Sequence, residues 1–409
     1  MRKGLFFSVP SVSVHKTLNP IIAELNRSDY RVITYNTSEF APEERGGEFK
    51  AYPPDYRGFR TASVRRQISY FEFAEMLLDT GLSLQQFLQM EMERERPDFI
   101  VHSHLAPWGK ALASCYQRPG VTLHSTFVLD PRIMLPFFRI QREEGREVKG
   151  DMRQFVRCQR KYRMLYEAFG GTCERPDIWD AYVNREGLNL ACMLNAFQEQ
   201  PEMLGPEYRF VGHPNKAIPR HGDRDLIYIA LGSILTDDLE LLRLGVSVFG
   251  RLERPCLIAL GTTLKADALG PVPEHVSVAT YVDQEEVLGR TAVFITMGGM
   301  ASVQEAVSAE TPMIIIPETP EQHITARNSE RLGIATYMPR KDVTGERLWD
   351  AVTRMLRERD VYVERIRRIR ADGPSDAPGR LARMHIDEYL DGLPRIAPSG
   401  RHAMVKQGV

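Results

Sequence analysis

Residues 292–326 (AVFITMGGMASVQEAVSAETPMIIIPETPEQHITA) concentrate the residue types that bind a phosphorylated sugar. An apolar run, Ala292 to Thr296, stops at Gly298-Gly299, and a stretch with helical spacing then carries Ser302 and Glu305. Strand, glycine turn and helix bring free backbone N–H groups and the positive end of a helix dipole to one point, where an anion binds. A second apolar run, Met313 to Ile316, ends at Pro317, and Glu321-Gln322 follow. A carboxylate beside an amide can accept from and donate to sugar hydroxyls. Taken singly, a Gly-Gly is an ordinary turn and a helical Glu an ordinary solvated charge. Together and in this order they suit a nucleotide-sugar diphosphate.

The elements needed to position these residues repeat along the chain. Residues 4–9 and Tyr30 to Tyr35 read as strands, joined by a loop to Asn19-Pro20 and a helix over Ile21 to Asn26, the opening βαβ of a parallel sheet. Helical spacing of Phe71, Phe73, Met76, Leu77, Leu82, Leu84, Phe87 and Leu88 predicts long amphipathic helices over 61–96. Strands are expected at 98–101, 120–124 and 188–194, and 209–212 closes this half. Residues 131–187, rich in arginine and aromatics, read as helices and loops over a pocket. The polar segment 214–224, with two prolines and a glycine, reads as a linker. The rhythm then restarts, with strands at 225–231, 255–260 and 276–280 and a helix at 239–249. The expected division is 1–213, a linker at 214–224, a second domain at 225–375, a helix at 376–392 returning to the first domain, and a loose tail at 393–409.

Bulk properties narrow the class. A chain of 409 residues exceeds one ordinary core, so two domains are expected. Its 53 basic and 54 acidic residues nearly cancel, which disfavours nucleic acid as partner. No apolar run approaches the roughly 20 residues of a membrane span. The N-terminal apolar run is broken at once by Ser8 and Pro10, so it reads as a buried strand and not a signal peptide. The five cysteines are scattered and read as reduced thiols of a cytoplasmic protein.

From Leu231 to Gly333 the chain resembles the donor-binding half of the macrolide-type, nucleotide-sugar-dependent glycosyltransferases. This UGT-like family has the GT-B fold, an α/β architecture of two Rossmann-like parallel-sheet domains facing across a cleft. The resemblance is close over the second domain and loose over the first. It places Gln284, in Val282-Asp283-Gln284, beside the nucleotide base. It places Gly298, Gly299 and Ser302 in the motif His-Gly-Gly-x-Asn-Ser, on the diphosphate. Glu305 falls where the family binds ribose hydroxyls, and Glu321-Gln322 where it grips the transferred sugar. Ser233 and Thr262 stand at neighbouring strand ends, where open α/β sheets bind ligands, although each also suits a helix cap. The co-substrate implied is a UDP- or dTDP-sugar, held without a metal or other cofactor.

Three departures concern the chemistry. Met297 replaces the family histidine on the diphosphate and Ala301 the following asparagine, and neither side chain donates a hydrogen bond. The family's Gly-His-x-x-Pro supplies the general base, and here Thr17 stands three residues before Pro20, with His15 two residues earlier. His15 is a candidate base if the 10–20 loop lets it swing into place. Ser103 stands where many relatives carry the aspartate that orients that base. Strand alternation places His102 and His104 on one side, as replacement base or as acceptor-pocket lining. The spacing of His15, His102, His104 and His124 matches no zinc pattern.

The resemblance implies an inverting hexosyltransferase that acts on a small, natural-product-like acceptor, as in antibiotic biosynthesis. The acceptor would lie over residues 54–90 and 131–187. A homodimer is compatible with the sequence. Two other readings stay open: a catalytically degenerate homologue acting as an auxiliary or ligand-binding protein, and a nucleotide-sugar epimerase of the same architecture.

Overall fold

The computed structural model describes residues 1–409 except 42–46, 55, 57, 60–68, 131–138, 140–149, 175–176, 214–217, 220–223, 233–237, 262–263, 375 and 395–409. Two parallel sheets form the frame. The first has seven strands: β1 (Arg2–Phe7), β2 (Tyr30–Asn36), β3 (Glu48–Ala51), β4 (Phe99–Ser103), β5 (Gly120–His124), β6 (Leu188–Ala191) and β7 (Tyr208–Phe210). Their order is β3-β2-β1-β4-β5-β6-β7. The second sheet has β8 (Leu226–Ala230), β9 (Cys256–Ala259), β10 (Val276–Ala279), β11 (Thr291–Thr296), β12 (Met313–Ile315) and β13 (Ala335–Tyr337), ordered β10-β9-β8-β11-β12-β13. The strand order of each sheet reverses once, beside β1 and beside β8, and ligands bind at the carboxyl ends of the strands at such switch points.

The strands are apolar because both faces of each sheet are covered. In β8 every residue is buried, and alternate side chains enter different clusters: Ile227 and Ile229 pack outward with α6 (Leu239–Phe249), Tyr228 and Ala230 inward with Phe294. The short edge strands β3 and β13 escape the sequence reading. Each has only three or four residues, and pairing with β2 or β12 rather than apolar patterning makes it a strand.

The expected loop before Pro20 is instead helix. Helix α1 spans Val12–Asn26 with Pro20 inside it. Proline removes the N–H that would bond the Lys16 carbonyl, yet the helix continues because Val14, Thr17, Leu18, Ile21, Ile22 and Leu25 are all buried along one face. Residues 61–96 resolve into α2 (Tyr70–Ser83) and α3 (Gln85–Glu95) over their described part. Ser69 and Glu72 form a capping box at the start of α2. The last helix, Pro378–Asp391, lies against α1, with Tyr30 donating to Asp387 and Arg2 paired to Asp391 at 2.6 Å. The two halves also meet where Asn328 Nδ2 donates to the Phe197 carbonyl at 3.1 Å. Most of the expected linker falls outside the described residues.

Candidate active site

The carboxyl ends of both sheets face one cavity of about 290 Å³. On the second-sheet side, β11 runs into Met297, Gly298 and Gly299, and helix α8 (Met300–Ser308) begins. Gly298 has φ +84°, and a Cβ there would stand 2.4 Å from Ile315 Cγ2, so only glycine fits this turn. Gly299 is the N-cap of α8, with open space where its Cβ would be and no side chain capping the helix. The first N–H groups of α8 therefore open on the cavity, as an anion site requires. Met297 is buried at its head, and it lines the cavity with Gly299, Met300, Ala301 and Ser302.

Beneath this turn lies a polar chain. Gln284, at the start of α7 (Gln284–Gly289), donates through Nε2 to Ser302 Oγ at 3.1 Å and to Glu305 Oε2, while Tyr228 donates to its Oε1 at 3.4 Å. Glu305 is buried. Burial raises its carboxyl above the usual range, opposed by Lys16, whose Nζ stands 4.0 Å from Oε1. Lys16 belongs to α1 in the first domain, so this pair spans the cleft.

A second cross-cleft contact is Thr126 Oγ1 donating to Glu321 Oε1 at 2.7 Å. Glu321 stands in the first turn of α9 (Pro320–Arg331), and burial raises its carboxyl while Thr126 holds it down. Gln322 has a local duty: its Oε1 accepts from Thr319 N–H at 3.0 Å and Glu318 N–H at 2.8 Å in a capping box. Both Glu321 and Gln322 line the cavity. Ser233 and Thr262 lie outside the described residues.

On the first-sheet side the wall is aromatic, with Tyr70 and Tyr182 stacked at 4.2 Å beside Phe59, Phe73 and Phe127. His104 lines the cavity; His102 does not. β4 ends at Ser103 and the chain turns there, with Leu105 N–H donating to Ser103 Oγ at 3.3 Å. His102 instead packs against Gly109 of the next helix, its Nε2 facing Glu186 at 3.2 Å and its Nδ1 the Ser103 carbonyl at 3.1 Å. His104 stacks on His124 at 5.3 Å, and burial pushes its imidazole down to about 4.

Because α1 starts at Val12, His15 is held half-buried on the helix and not on a loop, bonded to Asn19 at 3.2 Å and 5.2 Å from the Phe40 ring, and burial lowers its imidazole. Thr17 is fully buried, and its Oγ1 has no hydrogen-bond partner among the described residues. Ser13, one turn earlier on the same face, lines the cavity together with Ser11 and Val14. Among the described residues no group of three or more His, Cys, Asp or Glu is placed to hold a metal ion.

Comparison with known proteins points to glycosyl transfer. Residues 246–383 match the model of the erythromycin biosynthesis protein CIII-like C-terminal domain. Over 400 residues the chain is 24% identical to the NDP-glycosyltransferase YjiC of Bacillus subtilis, covering 95% of this chain and 98% of that one. Along nearly its whole length the chain is similar to nucleotide-sugar glycosyltransferases, and residues 246–383 carry the C-terminal domain of the macrolide type. The fold of this glycosyltransferase is GT-B. It is similar to CalG4, the calicheamicin glycosyltransferase, with TM-score 0.77 and 22% identity over 96% of this chain and 99% of that one. It is also similar to the glycosyltransferase VinC in complex with dTDP, with TM-score 0.70 and 15% identity over 95% of this chain and all of that one. No described helix of the glycosyltransferase is long and apolar enough to cross a membrane.

Lys16, Ser13 and Thr126 were missed by sequence reasoning. Ser13 and Lys16 share a helical face only once 12–19 is known to be helix, and nothing local to Thr126 marks it as facing Glu321.

Proposed function

We propose that this glycosyltransferase moves a sugar from a uridine or thymidine diphosphate donor to a small, natural-product-like acceptor, by direct displacement with inversion and without a metal. The observation that carries this reading is the uncapped start of α8 behind Gly298-Gly299, opening on a cavity also lined by Ser302, Glu321 and Gln322. The leaving diphosphate would be stabilised by helix N–H groups. Glu305 and Gln284 would accept ribose and base, and Glu321 the sugar. That VinC is described in complex with dTDP supports a thymidine-linked donor.

The acceptor body would rest on the Tyr70–Tyr182 wall with its nucleophile near His104. A base depressed to about 4 removes a proton from an acidic group far more readily than from an alcohol. Thr17 and Ser103 supply no dyad to strengthen it. The acceptor class is therefore a phenol, carboxylic acid or amine.

Thermal shift and turnover with UDP, dTDP and their sugars test the donor. Stabilisation by neither diphosphate would reject it. Comparing phenol, amine and aliphatic alcohol acceptors tests the second half, and efficient transfer to the alcohols alone would overturn it.

A further inference from the structure

Lys16 reaches across from the opposite domain to Glu305 of α8, its Nζ 4.0 Å from Oε1. The cavity lining contains no lysine or arginine among the described residues. Met297 and Ala301 stand where side-chain donors would be expected, so between Met297 and Ser302 the lining presents backbone N–H groups and the Ser302 hydroxyl. A helix terminus is worth about half an elementary charge, whereas a diphosphate carries two or more. The nearby Asp283 and Glu285 add negative charge around Glu305. An anion site so composed needs a cation.

We propose that Lys16 serves the donor diphosphate: paired with Glu305 across the cleft, it turns to the diphosphate when ribose hydroxyls take over Glu305. This rests on the donor-site reading above. Lys16 lies one helical turn from Ser13, which lines the cavity. Its side chain is 46% exposed, so its flexible stem is free to re-aim, while the Glu305 side chain is 4% exposed and fixed by Gln284. Gln284 also holds Ser302, so the carboxylate that Lys16 faces is tied to the first turn of α8. The exchange leaves no buried charge unpaired: Glu305 trades an ammonium for two hydroxyl donors, and Lys16 trades a carboxylate for a phosphate. In the transfer step the acceptor heteroatom bonds to sugar C1 and gives its proton to His104, while the bond from C1 to the diphosphate oxygen breaks with its electron pair staying on that oxygen. Lys16 keeps all its protons and neutralises that charge. Lys16 thereby takes the part that Met297 cannot play.

The test is titration of the full chain with UDP and dTDP, and with uridine and thymidine by displacement. Lys16→Ala should lose about tenfold or more in affinity for the preferred diphosphate, the range for a charge-assisted hydrogen bond. Affinity for the nucleoside should stay within about twofold, and kcat should fall. Lys16→Arg should keep most of the diphosphate affinity, and adding Met297→His to Lys16→Ala should restore part of it. Unchanged diphosphate affinity in Lys16→Ala, or equal loss for nucleoside and diphosphate, would overturn the assignment to Lys16 alone. A wild-type chain that binds neither diphosphate would overturn the donor site itself.

Discussion

Thr126 and Glu321 join the two domains by a 2.7 Å hydrogen bond at the floor of the cavity, from a loop after β5 to the first turn of α9. Glu321 therefore sits where a sugar bridging donor and acceptor domains must pass. Glu321→Ala should weaken binding of the sugar donor by about tenfold while leaving the bare diphosphate within twofold. Calorimetry on both ligands checks this, and equal losses would contradict the role assigned to Glu321.

Two adjacent glycines should respond differently to the same methyl group. Gly298→Ala forces a left-handed φ and a clash with Ile315, and should destabilise the fold by about 2–4 kcal/mol. Gly299→Ala meets no neighbour and has an ordinary φ of −58°, so stability should change by less than about 1 kcal/mol. Its methyl at the N-cap should still reduce diphosphate affinity. Urea unfolding together with ligand titration separates the two effects.

Glu305 is a buried carboxylate whose ionised form burial disfavours. Glu305→Gln removes that charge and keeps an acceptor for Gln284. Unfolding temperature should hold or rise, while donor affinity falls about tenfold because a neutral amide accepts ribose hydroxyls more weakly. A parallel fall in both would show Glu305 to be structural.

His104 and His124 are buried with their imidazoles pushed down, His104 to about 4. Their folded forms bind fewer protons than the unfolded chain below its histidine pKa of about 6.5. Stability from these residues is thus complete above about 6.5 and is lost as pH falls below it, by about 2 kcal/mol between pH 7 and 5 for His104. Urea melts at pH 7, 6 and 5 should show this slope, and His124→Gln should flatten it. An unchanged slope in that variant would assign the acid sensitivity elsewhere.

Gln322 caps its own helix through Thr319 and Glu318. Gln322→Ala should therefore cost about 1 kcal/mol of stability in addition to any donor affinity. Chemical denaturation checks it.

Local sequence determined the donor half. The turn at Gly298-Gly299, the spacing of Ser302 and Glu305 along α8, and helix α6 follow from apolar period and glycine geometry, which act within a few residues. The alternation of strands and helices likewise announced two parallel-sheet domains. Tertiary structure decided what crosses the cleft. The meeting of Lys16 with Glu305 and of Thr126 with Glu321 depends on how two sheets face one another, which no local pattern encodes. Tertiary packing also overrode local preference at Pro20, where a buried apolar face carries α1 through a residue that reads as its beginning. That one extra stretch of helix holds His15 half-buried beside Phe40, seals Thr17 in the core and sets Ser13 and Lys16 at the cleft. Of His102 and His104 only the second lines the cavity: β4 ends at Ser103, and strand alternation holds only as far as the strand does.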